Sequence, residues 1–442
     1  MKLLQFRVFV LLLAGTATCT GQVLTIEDAV RMAVKANRQV KISELDVTKA
    51  GESTAEVRTF RAPQLNTYVV AGGALNPITS TIPMGSLGVY PGVGPIPGRD
   101  AEIQAPRRLT GLIFARAAQP VTQLFFKIPL AIQESKLGEE LAAQNLRQQK
   151  LEIARQVREG YYQLVGTQTQ VASAESALRY LLELETLVDR NLAEETVLKG
   201  DSLNVRTKVS QQRYQLLQLK NALDSQKEAL NRLLGRELNT PFTVEEQPLA
   251  TFDELDLPAA QKKAVEQRPE IRKARLQEEK SDIEIRRERA EYWPDLSLQV
   301  SYLAMANFSL LPTNVSSAGF IFEWKPYDFG QKKHKIAQLK ATSRQANLTT
   351  RDAGQQIQLD VATRYRKLME ARALLSTQTL EQETEREKLR VITNRYGEKA
   401  VLLTDVLHEQ AALAQADSQY RAAVAGFWSA KADFERSLGE EF

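Results

Sequence analysis

Leu296-Ser297-Leu298-Gln299-Val300-Ser301-Tyr302 alternates apolar and polar side chains without a break, and Phe320-Ile321-Phe322-Glu323-Trp324-Lys325 takes up the same rhythm. A period of two is the period of a strand. It puts Leu296, Leu298, Val300 and Tyr302 on one face and Ser297, Gln299 and Ser301 on the other. In the second stretch Phe320, Phe322 and Trp324 share a face, opposite Ile321, Glu323 and Lys325. Strands are therefore expected at about 294–303 and 317–325. Earlier, Leu65, Thr67 and Val69 alternate with Gln64, Asn66 and Tyr68, giving a strand at about 63–72, and a weaker one runs at about 109–119. Four strands are too few to close a barrel, for which about eight is the practical minimum. Open edges are costly in lipid, so several chains must share one barrel. Strands of about ten residues, greasy on one face and polar on the other, fit an outer-membrane wall around a wet interior. Leu296, Leu298, Val300, Phe320, Phe322 and Trp324 are the expected lipid-facing residues, and Trp293, Trp324 and Tyr327 stand at strand ends, where interfacial aromatics belong.

The chain contains this pattern twice. At an offset of 231 residues, Ala33, Val34, Val40, Lys41, Leu45, Pro63, Leu65 and Val69 fall on Ala264, Val265, Ile271, Arg272, Leu276, Pro294, Leu296 and Val300. At an offset of 204, Ile153, Val157, Tyr161, Leu164, Leu198, Asp201, Leu203, Leu234 and Gly235 fall on Ile357, Val361, Tyr365, Leu368, Leu402, Asp405, Leu407, Leu438 and Gly439. The offsets differ by 27, so the first copy carries 27 extra residues between about Ala71 and Ile128. Gly and Pro crowd there, from Met84 to Gly98, and Tyr90 to Gly98 reads as a long loop. The matching loop of the second copy, near Ala304 to Ser317, is short. The expected organisation is a first repeat over 22–245 and a second over 246–442.

Proline is absent between Pro129 and Pro241 and after Pro326. In the first gap apolar residues recur at helical spacing, as Val157, Tyr161, Leu164, Val171, Leu178 and Leu182, then Leu216, Leu223 and Leu230. A helix from Leu130 to about Glu194 measures roughly 95 Å at 1.5 Å per residue. Turns near Glu195 to Asp201 and Glu398 to Asp405 fold each stretch into a hairpin, at about 130–235 and about 330–438. A single hairpin of this length cannot bury both its sides and needs neighbours.

The first 21 residues read as a secretion signal: Lys2 gives a charged start, Val8 to Ala14 a short apolar middle, and Gly15 to Gly21 a small-residue stretch where a peptidase cuts. Leu3 to Ala14 is interrupted by Gln5 and Arg7 and falls short of a spanning helix. Cys19, the only cysteine, lies in this segment, which excludes an intramolecular disulfide and leaves lipid attachment open. Loss of Lys2 and Arg7 lowers the formal charge from +4 to +2, too near neutral to argue for a nucleic-acid partner. The basic run Arg286, Arg287 and Arg289 is offset by Glu284, Glu288 and Glu291, while Lys332, Lys333 and Lys335 follow a strand, where headgroups or water meet them. An enzyme is not expected. The only histidines, His334 and His408, have no spaced partners for a metal, and Glu139, Glu140, Glu194 and Glu195 are scattered along helices as a solvated face; no cofactor is implied.

A two-fold repeat of helix, strand, loop, strand and long hairpin behind a signal resembles the TolC family of outer-membrane efflux proteins. The residues that carry the likeness are Leu24 to Ala36, Trp293-Pro294-Asp295-Leu296, Lys325 to Gly330, Asn394-Arg395-Tyr396, Asp405-Val406-Leu407, and the closing Leu233-Leu234-Gly235 and Ser437-Leu438-Gly439. Their order over nearly the whole mature chain is specific. The resemblance implies a mainly α protein with a membrane β-barrel part: a homotrimer whose 12-stranded β-barrel in outer-membrane lipid is continued by an α-helical tunnel across the periplasm. It implies the exit duct of a tripartite efflux or type I secretion system, partnered by a periplasmic adaptor and an inner-membrane transporter. It also implies that the turns between the long helices form the periplasmic entrance, where Asp405 matches a constricting acidic residue. His408 stands where a second Asp is usual, with Asn204 as its repeat equivalent, and Asp201 adds to the same zone. Asp405 equally suits a helix start, where a carboxylate accepts backbone N–H bonds, and both roles are compatible. Lys399 replaces a common Gly and stiffens the turn. The alternative is a secreted or periplasmic coiled-coil scaffold without channel activity, which explains the helices and leaves the strands unexplained.

Overall fold

The computed structural model describes residues 22–73, 78–105, 109–194, 198–245, 256–306, 313–398 and 400–439. The signal segment with Cys19, the boundary between the repeats at 245/246, Glu195 and Lys399 lie outside or at the margin of these residues. In chain order the elements are β1 (Gln22–Leu24), α1 (Ile26–Ala36), α2 (Arg38–Thr59), β2 (Gln64–Gly73), β3 (Ile78–Ile82), β4 (Val89–Tyr90), β5 (Gly94–Pro95), β6 (Ala101–Ala105), β7 (Leu109–Pro120), α3 (Val121–Phe126), α4 (Ile128–Ala193) and α5 (Lys199–Leu233). There follow β8 (Phe242–Val244), α6 (Leu257–Gln267), α7 (Pro269–Ala290), β9 (Asp295–Ala306), β10 (Asn314–Glu323), α8 (Gln331–Gly397) and α9 (Leu403–Leu438). They sort into a helical unit (Met1–Val47, Ala142–Ala274, Thr349–Phe442) and a sheet-bearing unit (Thr48–Leu141, Arg275–Leu348).

The helical unit holds two cores that repeat one another. In the first, Ala29, Val30 and Ala33 of α1 meet Ile153, Val157, Tyr161 and Leu164 of α4, with Leu234, Phe242 and Val244 closing the cluster. In the second, Ala260 and Ala264 of α6 stand with Ile357, Val361 and Leu368 of α8 and Leu438, the positions matched by the sequence offsets. Thr25 starts α1, its hydroxyl accepting the Asp28 N–H at 3.2 Å. The fully buried Tyr161 hydroxyl donates to the Leu24 carbonyl at 2.9 Å and accepts the Glu245 N–H at 3.2 Å, holding the parallel β1–β8 pair to α4. Burial raises the Tyr161 pKa above the usual phenol range.

Each helix entry is broken at the same point of the repeat. Asn37 separates α1 from α2 and Arg268 separates α6 from α7, both with extended backbone. Asn37 donates to the Leu233 carbonyl at 2.8 Å. Gly235, at φ +72°, lies so close that an added Cβ would stand 2.5 Å from the Ala36 carbonyl oxygen. Gly439, at φ +77°, packs against Arg268 in the same way, a Cβ there meeting its Cα at 3.2 Å. The closing Leu-Gly of each hairpin therefore docks on the joint of its own repeat, and only glycine allows both the positive φ and the approach.

In the sheet-bearing unit four antiparallel strands run in the order β10-β9-β7-β2. β7 and β9 join the two repeats, and β2 and β10 are the edges. Three differences from the sequence expectation stand out. The 27-residue excess is no plain loop, since β3 pairs β6 and β4 pairs β5 outside the main sheet. Its turns are made by Gly85, Gly88, Gly92 and Gly94, all at positive φ. The last strand is β10 at Asn314–Glu323, so Trp324 and Lys325 lie just past it: pairing with β9 ends at Glu323–Asp295, and the chain turns away before Pro326. Finally, short β1 and β8 add a parallel pair that carries no alternation to read.

Candidate functional site

The sheet is two-faced, and its register fixes which residues share a face, because directly paired residues point the same way. Leu296 pairs with Phe322, Leu298 with Phe320 and Val300 with Ala318. Val300 also faces Ala117, which faces Leu65, and Ala304 faces Ile113, which faces Val69. This face is mainly apolar across the four strands, interrupted by Thr67, Gln119, Asn314 and Ser316. On β9 it is also the more open one: Leu298, Val300 and Tyr302 are exposed, whereas Gln299, Ser301 and Leu303 are half-buried. Alternation of exposure along one strand marks the 298–302 face as convex and its opposite as concave.

The concave face starts polar. Asn66, Arg116, Ser301 and Ser317 form one level across the strands, with a 2.7 Å bond between the two serine hydroxyls. Gln299 lies one level toward the strand bases. Toward the β2–β7 hairpin end the face turns apolar, with Tyr68, Phe114, Leu303 and Val315 on one level and Val70, Leu112 and Met305 on the next. Arg116 escapes notice in the sequence because β7 is apolar on both faces around it. The available signal is its isolation, one arginine in a 12-residue strand with no other charge.

At the strand bases aromatic rings gather. Trp293 stacks on Phe126 at 5.2 Å with an interplanar angle of 3°, and Trp324 Nε1 donates to the Tyr292 carbonyl at 3.4 Å. Tyr327 meets Phe329 edge-on at 4.9 Å, and both are exposed, at 75% and 89%. Lys127 binds Glu291 at 2.8 Å and Asp295 at 2.9 Å. Asp328 of the Lys325 to Gly330 motif accepts the N–H groups of Gly330 (3.1 Å) and Lys332 (2.9 Å), starting α8. The Lys332 N–H holds the Asp328 carboxyl below the usual range.

In the helical unit the hairpin ends form a third core from Leu181, Leu184 and Val188 of α4, Val205 and Val209 of α5, and Leu403 and Leu407 of α9. Asp405 and His408 are exposed and Asp201 half-buried. Asp405 sits three residues inside α9 and reaches back, accepting the Leu402 N–H at 3.1 Å. Leu402, and not Asp405, is the capping residue; Asp405 satisfies its N–H from the first turn. Asp201 lies close enough to Tyr396 to help burial raise that phenol's pKa. The two turns are held differently. In the first, Asp189 accepts the Ser202 hydroxyl at 2.8 Å and Arg206 at 3.1 Å, which keep its carboxyl below the usual range. The repeat equivalents of these three residues are Thr393, Val406 and Gln410, which offer no carboxylate.

An ionic ladder ties the elements of the helical unit. Arg155 binds Glu152 (2.8 Å), Glu159 (2.9 Å) and Asp433 (3.5 Å), and Arg364 binds Asp433 (3.3 Å) and Asp360 (2.8 Å). Arg268 then binds Asp360 (2.7 Å) and Glu270 (2.9 Å). Burial alone would raise the Asp360 carboxyl, but hydrogen bonds from Arg364 and Arg268 outweigh it and hold the pKa down. Arg155 is raised above its ordinary value, first by its bond to Glu152.

Among the described residues no cluster of metal-binding side chains occurs, and no helix is long and apolar enough to cross a membrane. Residues 261–440 match the family described as outer membrane efflux protein. No curated protein sequence matches the chain. Its fold is similar to those of solved outer-membrane proteins, among them the outer-membrane channels OprN and CmeC. OprN superposes with a TM-score of 0.75 at 18% identity, covering 94% of this chain and 89% of that one. CmeC of Campylobacter jejuni gives 0.76 at 13% identity, covering 94% and 85%. VceC of Vibrio cholerae gives 0.72 at 15% identity, covering 94% and 96%. Residues 261–440 thus match the model of the outer membrane efflux protein family, and the residues before them repeat the same helix-strand-strand-hairpin plan.

Proposed function

We infer that the protein is the outer-membrane channel of a tripartite efflux or secretion system, a passive exit duct for solutes delivered by an inner-membrane transporter through a periplasmic adaptor. The observation that carries this reading is the sheet, mainly apolar on its convex face and polar on the concave one from the strand bases to the Arg116 level, with the outer edges of β2 and β10 unpaired among the described residues. In lipid such edges must be closed. Three copies, joining the β10 of one to the β2 of the next, close a 12-stranded barrel with the convex face outward. Phe126, Trp293, Trp324 and Tyr327 then form the periplasmic aromatic belt. The long hairpins are the periplasmic conduit, and their turns the entrance. There three copies of Asp405, with Asp201 and His408 nearby, attract cations.

Expression of the full chain in a Gram-negative host, followed by fractionation, tests this reading. The protein is expected in the outer membrane and in solution only with detergent. Recovery as a water-soluble periplasmic protein would refute the duct in favour of a helical scaffold.

A further inference from the structure

Arg116 is the only charged side chain in the four strands apart from Asp295 and Glu323 at their bases. Those acids lie six residues further along the paired strand from Ser301, the partner of Arg116, a separation of about 20 Å. Asp295 already binds Lys127. The Arg116 Nε is buried and makes no hydrogen bond to the protein. An arginine facing lipid at mid-bilayer costs about 2–4 kcal/mol, so this face belongs to the water-filled side. One level away, about 7 Å along the strands, Tyr68, Phe114, Leu303 and Val315 make an apolar band. Tyr68 and Phe114 stack at 6.3 Å, and Tyr68 and Val315 remain 58% and 40% exposed. A partly open apolar band one level from a lone guanidinium gives the two halves of one recognition site.

We infer that this concave face binds amphipathic organic anions. The Arg116 guanidinium takes a carboxylate or sulfonate end, and the Tyr68–Phe114–Leu303–Val315 band takes the apolar body. The site rests on the duct reading, which turns this face to the lumen and repeats it three times. It defines a class of solute that the barrel holds on its way out, distinct from cation attraction at the periplasmic turns.

The test uses the full-length protein in neutral phosphatidylcholine vesicles, titrated with 1-naphthalenesulfonate and with a naphthyl-trimethylammonium of similar size. Retention by empty vesicles is subtracted. Saturable retention of the anion but not the cation is expected, weakened about tenfold in Arg116→Gln, largely kept in Arg116→Lys, and weakened in Phe114→Ser. Phe322→Ser, on the convex face, leaves it unchanged. Equal retention by wild type and Arg116→Gln, or a loss confined to Phe322→Ser, would overturn the site. Native mass, measured on the same samples, separates the two ways to fail. A trimer that retains no anion sinks this inference alone, whereas a water-soluble monomer sinks the duct as well.

Discussion

Single substitutions discriminate the two faces of β9 and β10. Leu298 and Phe320 are paired on the convex face, the proposed lipid side, so Leu298→Arg, or Phe322→Arg one level away, would place a charge in lipid at a cost of about 2–4 kcal/mol and is expected to abolish assembly. Ser297→Arg and Gln299→Arg, on the proposed lumen side, should assemble while narrowing or altering the pore. Trimer yield across the four variants decides this, and equal yields would refute the faces. At the hairpin turns, Asp405→Ala removes both the bond to the Leu402 N–H and a negative charge at the proposed entrance. Cation selectivity in single-channel recordings is expected to fall; unchanged selectivity would leave Asp405 as a helix-start residue only. Alternation made Leu296 to Tyr302 legible in the sequence, because each residue answers to one face alone. Arg116 was not legible in the same way, since Leu112, Ile113 and Phe114 are apolar on both faces and erase the period around it.

At the scale of elements, the repeat reads directly into packing, as the offset of 204 returns Val157, Tyr161 and Leu164 of one core as Val361, Tyr365 and Leu368 of the other. What the sequence does not reveal is where each entry helix breaks. Asn37 and Arg268 are held by partners about 200 and 92 residues away, which no local pattern encodes. Gly235→Ala tests the docking of hairpin on joint. A Cβ at φ +72° and 2.5 Å from the Ala36 carbonyl oxygen should cost about 2 kcal/mol or more, read as a lowered thermal midpoint. Gly439→Ala, with its nearest contacts at 3.2 Å, should cost less. The ionic ladder predicts a pH dependence. The Asp360 pKa is depressed in the folded protein, so its stabilisation is complete above the ordinary aspartate range and is lost as pH falls through the lower folded value. Asp360→Asn is therefore expected to lower stability by about 2 kcal/mol at pH 7, a difference that shrinks in strong acid. A difference independent of pH would show that packing, and not charge, holds Arg268 in the joint.

For the whole molecule, period and proline placement indicate strands and hairpins in the right order, yet the edges of the sheet decide what it can be. The outer edges of β2 and β10 have no partner strand among the described residues of one chain. In the proposed duct the closing hydrogen bonds come from other copies, a demand that a four-strand count already makes in the sequence. The β4–β5 pair is hidden in the sequence because glycine and proline at Met84 to Gly98 signal turns, and the β3–β6 pair because its five-residue strands, on either side of that stretch, are too short to show a period. The most direct measurement is the native mass of the detergent-extracted protein. Three chains per particle is the expected result, because three four-stranded sheets close one barrel. A monomer stable in water without detergent would contradict the shared barrel and, with it, the duct.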